Sequence, residues 1–146
     1  MAFHSHVGPN FHLPADDLNN NVIVGNLISG NGADTEDTAT PGPTGINVNS
    51  GGGGTPITGT VIANNEIEDE AVDVAVNTPG EVDLHFNNLL GKEIGVDNLS
   101  GGIVNATQNW WGCFAGPGAK GCSSVNGTVV YVPFLRLPVF AAGNWQ

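Results

Sequence analysis

The sequence predicts an all-β solenoid of about five short coils. Three observations support it: a strand pattern that recurs about every 22 residues, a chain rich in glycine and asparagine, and short runs of β-branched residues. The 146 residues suit one domain, and 22 of them are glycine. Helices are not expected, because Gly, Asn, Thr and Pro interrupt every stretch of the chain.

A first set of strands leads into recurring asparagines. The four segments are VIVGNLI (22–28), VIANNEI (61–67), LHFNNLL (84–90) and VNATQNWWG (104–112). We align Asn26, Asn65, Asn88 and Asn109, at intervals of 39, 23 and 21 residues, and the first interval holds an insertion. Asparagine suits a coil corner because it tolerates left-handed backbone and because stacked amides can bond to one another.

A second set of strands lies between the members of the first. Its triplets are Ile46-Asn47-Val48, Val72-Asp73-Val74 and Ile94-Gly95-Val96. Alternation predicts that the apolar residues point inward and that Asn47, Asp73 and Gly95 point outward. Two interleaved sets with one period predict parallel pairing between successive coils. A β-sandwich is the alternative fold, but it does not explain the recurring asparagine corner.

The charge balance excludes two classes of partner. The chain has 14 acidic and 3 basic residues, which gives a net charge of −11. Nucleic-acid binding and attachment to an anionic membrane both need the opposite sign. No apolar run approaches the ~20 residues of a membrane helix. We therefore predict neither a nucleic-acid nor a membrane partner.

Two cysteines close a short glycine-rich segment. Cys113 and Cys122 are nine positions apart, and no histidine or further cysteine completes a zinc site. The spacing favours a disulfide, and two free thiols are the alternative. A disulfide implies an oxidising compartment, so we expect an extracellular or periplasmic location.

The end of the repeat resembles a known family. The resemblance rests on the asparagine corners and on NWWG (109–112), GPG (116–118) and VVYVPFL (129–135). Over residues 19–135 these features are similar to the C-terminal coils of right-handed parallel β-helix proteins, the pectate-lyase-like, carbohydrate-associated repeat proteins of bacteria. The resemblance implies a single right-handed β-helix domain over 1–146, with an N-terminal cap or arm at 1–18, coils at 19–135 and a tail at 136–146.

The resemblance does not bring a catalytic motif with it. Pectate lyases typically use an arginine base, and the only arginine here is Arg136 in the tail. Polygalacturonase-like hydrolases use an NTD motif, which this chain lacks. Catalytic candidates must therefore come from the residues themselves.

Acidic residues are densest at Glu66, Glu68, Asp69, Glu70 and Asp73. A glycosidase needs two carboxyl groups about 5–10 Å apart, which makes Glu66 and Asp73 catalytic candidates. Within VDLHFNN (82–88), alternation places Leu84 and Phe86 on one face. Asp83 and His85 then face outward as a candidate acid/base pair. The alternative is a solvated acidic surface and a structural histidine.

Three further sets of residues are candidates for binding. Asp34, Glu36 and Asp37 lie in the insertion and could bind calcium through their oxygens, or simply be solvated. Trp110 and Trp111 could stack on sugar rings, although one of them could instead pack into the last coil.

The third set, Ile23 and Ile62, predicts association between copies of the chain. If Val22 and Val24 face the core, Ile23 faces outward and Ile62 stacks beside it. Apolar residues on both faces indicate a covered strand. We therefore predict a homo-oligomer, specifically a trimer, that packs through Ile23 and Ile62.

Two hypotheses about function follow. The first is a structural or carbohydrate-binding β-helix module of an exported, bacterial-type protein without catalysis. The alternative is a small hydrolase or lyase that acts on an extracellular polysaccharide or ester through surface carboxylates, with calcium as a possible cofactor. An enzyme requires clustered acids with shifted pKa values in a groove, whereas a module requires a smooth sheet face.

Overall fold

The computed structural model describes residues 1–4, 18–51 and 55–140. In these ranges the chain forms strands and turns, and no helix there is long and apolar enough to span a membrane. The strands in these ranges are β1 (Ala2–His4), β2 (Val22–Val24), β3 (Leu27–Ser29), β4 (Thr44–Asn49), β5 (Thr60–Ala63), β6 (Glu66–Glu68), β7 (Val72–Asn77), β8 (Val82–His85), β9 (Asn88–Leu90), β10 (Ile94–Asn98), β11 (Val104–Asn105), β12 (Ser124–Asn126) and β13 (Val129–Val130).

The strands form three parallel sheets, and the chain visits them in turn. Sheet A has the order β1-β4-β7-β10-β12, sheet B the order β13-β11-β8-β5-β2, and sheet C the order β3-β6-β9. Every strand pair within these sheets is parallel. This arrangement is a parallel β-solenoid and confirms the predicted fold class.

The described part of the solenoid makes about three complete turns, fewer than the five coils predicted. Sheets A and B are five strands deep, but sheet C has three strands. A single bridge between Asn88 and Trp110 extends sheet C by one position. The next coil lacks a third strand because residues 112–123 form glycine-rich turns instead.

A ladder of asparagines marks the corner between sheets B and C. Its first member, Asn26, is half-buried, and Asn65, Asn87 and Asn109 are fully buried. Each side-chain amide donates to the Oδ1 atom of the next member, at 3.0, 3.0 and 2.9 Å. The predicted member Asn88 is therefore wrong by one residue. With Asn87 in its place, the intervals after the insertion are both 22 residues.

One continuous apolar core fills the inside of the coils. Its largest fully buried aliphatic side chains come from all three sheets and from the turn before β5: Ile46, Val48, Ile57, Ile62, Ile67, Val74, Val76, Val82, Leu84 and Leu89. Burying such a side chain stabilises the fold by about 1.5–3 kcal/mol. Stacked β-branched residues therefore hold successive coils together.

The register of sheet A differs from the predicted alignment by two residues in its first strand. Ile46 pairs with Val74, which pairs with Val96, and all three are buried as predicted. Val72 and Ile94 pair with each other at the strand starts and are only half-buried. The pattern of apolar triplets could not detect this offset because each triplet looks alike.

The residues of sheet A that were predicted to point into solvent are buried, because other parts of the chain cover them. Asp73 lies under the main chain of Gly91, where an added Cβ would sit 2.5 Å from Asp73 Oδ1. Gly95 lies against the ring of Trp111, and the insertion covers Asn47. The expectation of solvent-exposed side chains here is therefore wrong, since it ignored the parts of the chain that fold over this sheet.

The predicted oligomer face is also wrong. Ile23 and Ile62 point into the core, and Ile62 is fully buried. Val22 and Val24 are on the outside, with 69% and 47% of their surface exposed. The face was reversed because a shift of one residue moves every side chain of a strand to the other side.

The ends of the chain extend or cover the solenoid. In the predicted N-terminal arm, β1 adds a parallel strand to sheet A beside β4, and residues 5–17 lie outside the described ranges. Tyr131 and Phe134 pack against the core, while Phe140 is exposed. Also in the tail, Val139 forms two hydrogen bonds with Asn88. Residues 141–146 lie outside the described ranges.

Candidate functional site

The outer face of sheet B brings two predicted catalytic residues together. Asp83 and His85 both point outward from β8, as predicted, and each side chain is about a quarter exposed. His85 Nε2 lies 3.9 Å from Asp83 Oδ1, and His85 Nδ1 lies 3.1 Å from the carbonyl oxygen of Thr107. The pair forms a polar patch on the middle strand of sheet B.

Residues of the neighbouring strands extend this patch. Along one row Val61 pairs with Asp83, which pairs with Asn105. Along the next row Ala63 pairs with His85. All of these side chains are half-buried. Adjacent strands of a sheet lie about 4.8 Å apart, so the face is a regular grid of small and polar side chains. We call this surface the sheet B face.

Phe86 borders the sheet B face and departs from the predicted alternation. Leu84 is buried as predicted, but Phe86 is 41% exposed because β8 ends at His85 and the chain turns at Phe86. Its φ angle is +58°, in the left-handed region. The positions one coil away are Asn64 and Gln108, which are also left-handed. Alternation within the strand gave no signal for the turn.

The other pair of catalytic candidates is not brought together on a surface. Glu66 points outward from sheet C, where its Oε2 accepts a hydrogen bond from Asn88 Nδ2 at 3.2 Å. Asn88 also bonds to Val139 of the tail. Asp73 is fully buried. The two carboxyl groups therefore do not line a common groove.

Asp73 instead shares a buried corner with Glu70. Glu70 is also fully buried, and its carboxylate accepts hydrogen bonds from the backbone and side-chain nitrogens of Asn31, at 2.9 and 2.7 Å. Burial raises the pKa of Asp73 from 3.8 to about 8, although a hydrogen bond from Gly91 opposes this and the charge of Glu70 adds to it. Burial therefore favours the neutral form of the Asp73 carboxyl group.

The insertion is held by one carboxylate. Asp37 accepts hydrogen bonds from the backbone nitrogens of Ala39 and Thr40 and from the Thr40 hydroxyl. The amides of Asn47 and Asn49, at 3.3 and 3.0 Å, complete the set and attach the insertion to the outside of sheet A. Partial burial raises the pKa of Asp37, but the hydrogen bonds outweigh it and lower the pKa from 3.8 to about 2.

The calcium candidates form a loop rather than a cluster. Asp34 Oδ1 accepts the backbone nitrogens of Glu36 and Asp37, at 3.0 and 3.3 Å. In the described ranges, no three His, Cys, Asp or Glu side chains gather where a metal ion could bind. The closely spaced acidic residues therefore stabilise a turn, because their carboxylates accept hydrogen bonds from backbone nitrogens of the same turn.

Removing the Asp37 side chain should detach the insertion. We expect Asp37→Ala to lower the free energy of unfolding by about 1–3 kcal/mol at pH 7, because buried amides lose a charged acceptor. The pKa of Asp37 is depressed in the folded state, so its contribution is present above pH 4 and is lost as pH falls towards 2. Urea titrations at pH 7 and at pH 2 measure both effects.

Glu36→Ala is the matched control, since Glu36 is exposed in the same turn. It should change stability by less than about 0.5 kcal/mol. Equal losses in the two variants would contradict the role given to Asp37.

The two tryptophans differ in position. Trp111 is fully buried and meets Tyr131 edge-on, with ring centroids 6.4 Å apart, so its predicted role in sugar stacking is wrong. Trp110 is half-buried beside Asn88 on sheet C and keeps part of its ring accessible. The sequence NWWG placed an aromatic pair at the corner without showing which ring faces inward.

The two cysteines are joined as predicted. Cys113 and Cys122 form a disulfide with a Cα–Cα distance of 5.2 Å. Close by, the guanidinium of Arg136 lies between the rings of Phe114 and Phe134, 4.7 and 5.2 Å from their centroids. This stacking attaches the tail to the disulfide loop and gives Arg136 a structural role.

Comparison of the chain with protein-family profiles, with curated proteins and with solved structures gave no match. The parallel solenoid is thus established by its own strand pairing. The solenoid is consistent with a β-helix, and no matching family supports the predicted pectate-lyase-like identity.

Proposed function

We propose that this chain is a carbohydrate-binding module that holds a neutral polysaccharide on the sheet B face. The observation that carries the proposal is Phe86, a large aromatic residue that has left-handed backbone and is 41% exposed. A side chain in this conformation costs about 1–2 kcal/mol. Strained, exposed residues of this kind cluster at ligand-binding sites.

The neighbours of Phe86 supply hydrogen bonds for a sugar. Asp83 and His85 are about a quarter exposed. On the next coil, Asn105 pairs with Asp83, and Thr107 lies beside His85. Their carboxylate, imidazole, amide and hydroxyl groups can donate to and accept from sugar hydroxyls. The ring of Phe86 offers an apolar platform beside them for the face of a sugar ring.

The charge of the chain supports a neutral ligand. The net charge is −11, and Asp83 lies within the sheet B face itself. A polymer of uronic acids would bring like charges to this surface and would be repelled. The proposal therefore keeps the carbohydrate class that the resemblance implied and narrows it to an uncharged polysaccharide.

The same geometry favours binding over hydrolysis. Asp73 is fully buried, and Glu66 accepts a hydrogen bond from Asn88, which also binds the tail. Asp73 and Glu66 therefore cannot act together on a polymer in solution. The exported location remains part of the proposal, supported by the disulfide between Cys113 and Cys122.

Sedimentation with insoluble neutral and anionic polysaccharides tests the proposal. We expect the protein to bind an uncharged polysaccharide, and Phe86→Gly to weaken that binding by about tenfold or more. Glycine is the right replacement because it relieves the left-handed backbone, and this relief offsets the packing that is lost with the ring.

Phe140→Ala is the matched control, because Phe140 is an exposed aromatic residue in the tail. It should leave binding unchanged. Binding that is equal in Phe86→Gly and in the original protein, or that is stronger for a uronic-acid polymer, would overturn the proposal.

A further inference from the structure

We propose that a cavity between the insertion and β4 binds the primary ammonium group of a small molecule. The cavity has a volume of about 80 Å³ and is partly open to solvent. It is lined by two glycines and by Met1, Asp34, Thr40, Thr44 and Asn47. None of these residues belongs to the sheet B face, so this inference does not depend on the proposed function.

The side chain of Asn47 brings a buried acceptor without a donor to this cavity. Asn47 is 7% exposed, and its Oδ1 has no hydrogen-bond partner in the described ranges. The orientation of the amide is fixed, because its nitrogen lies 3.3 Å from the carboxylate of Asp37, which can only accept hydrogen bonds. Thr40 donates its hydroxyl hydrogen to Asp37 and accepts from Asn47. The oxygen of Asn47 is therefore left for a donor on a bound molecule.

Two further lining residues have oxygens to offer. Within the described ranges, Asp34 uses Oδ1 to accept the backbone nitrogens of Glu36 and Asp37, which leaves Oδ2 for a ligand. The hydroxyl of Thr44 stands beside Gly42, where an added Cβ would lie 3.3 Å from Thr44 Oγ1, so the absence of a side chain keeps this space open. An amide, a carboxylate and a hydroxyl oxygen match the three hydrogens of a primary ammonium group.

The charges beside the cavity favour a ligand with one positive charge. Asp34 is negative, and so is Asp37: although partial burial raises its pKa, the hydrogen bonds lower the pKa of Asp37 to about 2. The terminal ammonium of Met1 is positive and donates to the carbonyl oxygen of Gly45 at 2.9 Å. One negative charge is left over, and a monovalent cation neutralises it.

The size of the cavity and its ligands select an ammonium group over a metal ion. One water molecule needs about 10–15 Å³ of such a space, so the cavity has room for a group of a few non-hydrogen atoms, which is larger than a bare ion. Calcium takes about six to eight oxygen ligands, several of them carboxylates. In the described ranges no three His, Cys, Asp or Glu side chains gather to supply them. An aminoalkyl group fits both the volume and the charge.

Nuclear magnetic resonance of the whole chain, labelled with nitrogen-15, tests the site with ethylammonium chloride as the probe. We expect saturable shifts of the Asn47 side-chain amide and of the Thr44 backbone amide, with a millimolar dissociation constant because so small a ligand gains little binding free energy. Ethanol has the same shape without the charge, and tetramethylammonium has the charge without N–H donors. Neither should give saturable shifts at equal ionic strength. If ethylammonium gives none, or if ethanol or tetramethylammonium binds as well, the site is wrong.

Three variants separate the hydrogen bonds from the general negative charge of the insertion. Asp34→Asn keeps an oxygen for the turn but removes the charge, and should weaken ethylammonium binding about tenfold or more. Thr44→Val keeps the shape of the side chain without its hydroxyl and should weaken binding about threefold or more. Glu36→Gln is the matched control, an exposed carboxylate of the same turn, and should change binding less than about twofold.

Equal weakening in Asp34→Asn and Glu36→Gln would show that the probe only follows the negative field, which would overturn the proposed site. Unchanged binding in Thr44→Val would overturn the proposed hydrogen bonds. Thr44→Val alters no charge and lies outside the acidic turn, so it decides the matter even if Asp34→Asn loosens that turn.

Discussion

Replacing Asn87 with alanine is expected to lower the free energy of unfolding by about 3–5 kcal/mol. Asn87 Oδ1 accepts the backbone nitrogen and the side-chain amide of Asn65. Its own amide donates to the carbonyl oxygen of Ile62 and to Asn109 Oδ1, at 2.8 and 2.9 Å. Alanine removes all four of these hydrogen bonds. Asn109 Oδ1 keeps the backbone nitrogen of residue 87 and the Asn65 amide keeps the carbonyl oxygen of Ile23, but the backbone nitrogen of Asn65 loses its acceptor. A buried polar group that loses its partner costs about 1–3 kcal/mol.

Urea unfolding at pH 7 measures this loss, and two variants calibrate it. Asn26→Ala removes the half-exposed first member of the ladder and should cost about 1 kcal/mol. Asn105→Ala, on the sheet B face, removes only local contacts to Thr107 and should cost less still. A similar loss in Asn87→Ala and Asn105→Ala would show that the ladder contributes no special stability.

Replacing Trp111 with alanine should cost about 3–5 kcal/mol as well, because it empties a large, fully buried site. The ring seals the core beneath the last coil, next to Gly95, where an added Cβ would approach ring atoms to 2.8 Å. Gly95 has no side chain that could fill the space. Thermal or urea unfolding, followed by circular dichroism rather than tryptophan fluorescence, measures the loss.

Trp110→Ala separates this effect from a general loss of aromatic surface. Trp110 is half-buried, so its removal should cost about 1–2 kcal/mol. Trp111→Phe is a second comparison: Trp111 Nε1 is buried without a partner, so phenylalanine removes that unsatisfied group while it keeps most of the packing. If Trp110→Ala were the more damaging substitution, the assignment of the two rings would be wrong.

The solenoid itself could be predicted from the sequence because its period is a property of the chain. Recurring strands and corners give a repeat length, and the repeat length requires parallel stacking. The outward positions of Asp83 and His85 followed from alternation within a single strand. The disulfide followed from the spacing of two cysteines in a turn-rich segment.

The first physical cause of the errors is that the recurring pattern determines the repeat length but not which residue of each strand faces the core. Adjacent asparagines at 87 and 88 fit the corner equally well in sequence, and only the hydrogen bonds distinguish them. The same ambiguity of one residue reversed Ile23 and Ile62. A second cause is long-range cover: nothing near Asp73 in sequence predicts that Gly91 closes over it.

The last member of the asparagine ladder stops the row. Asn109 Oδ1 receives Asn87, but its amide turns back and donates to the carbonyl oxygens of Leu84 and Ala106, at 2.9 and 2.8 Å. An amide has two hydrogens, so neither is left to donate to a further asparagine. The row of hydrogen-bonded asparagines therefore ends at Asn109. A designer who wished to lengthen this protein by one coil would have to rebuild the turn at residues 106–109 before any added asparagine could join.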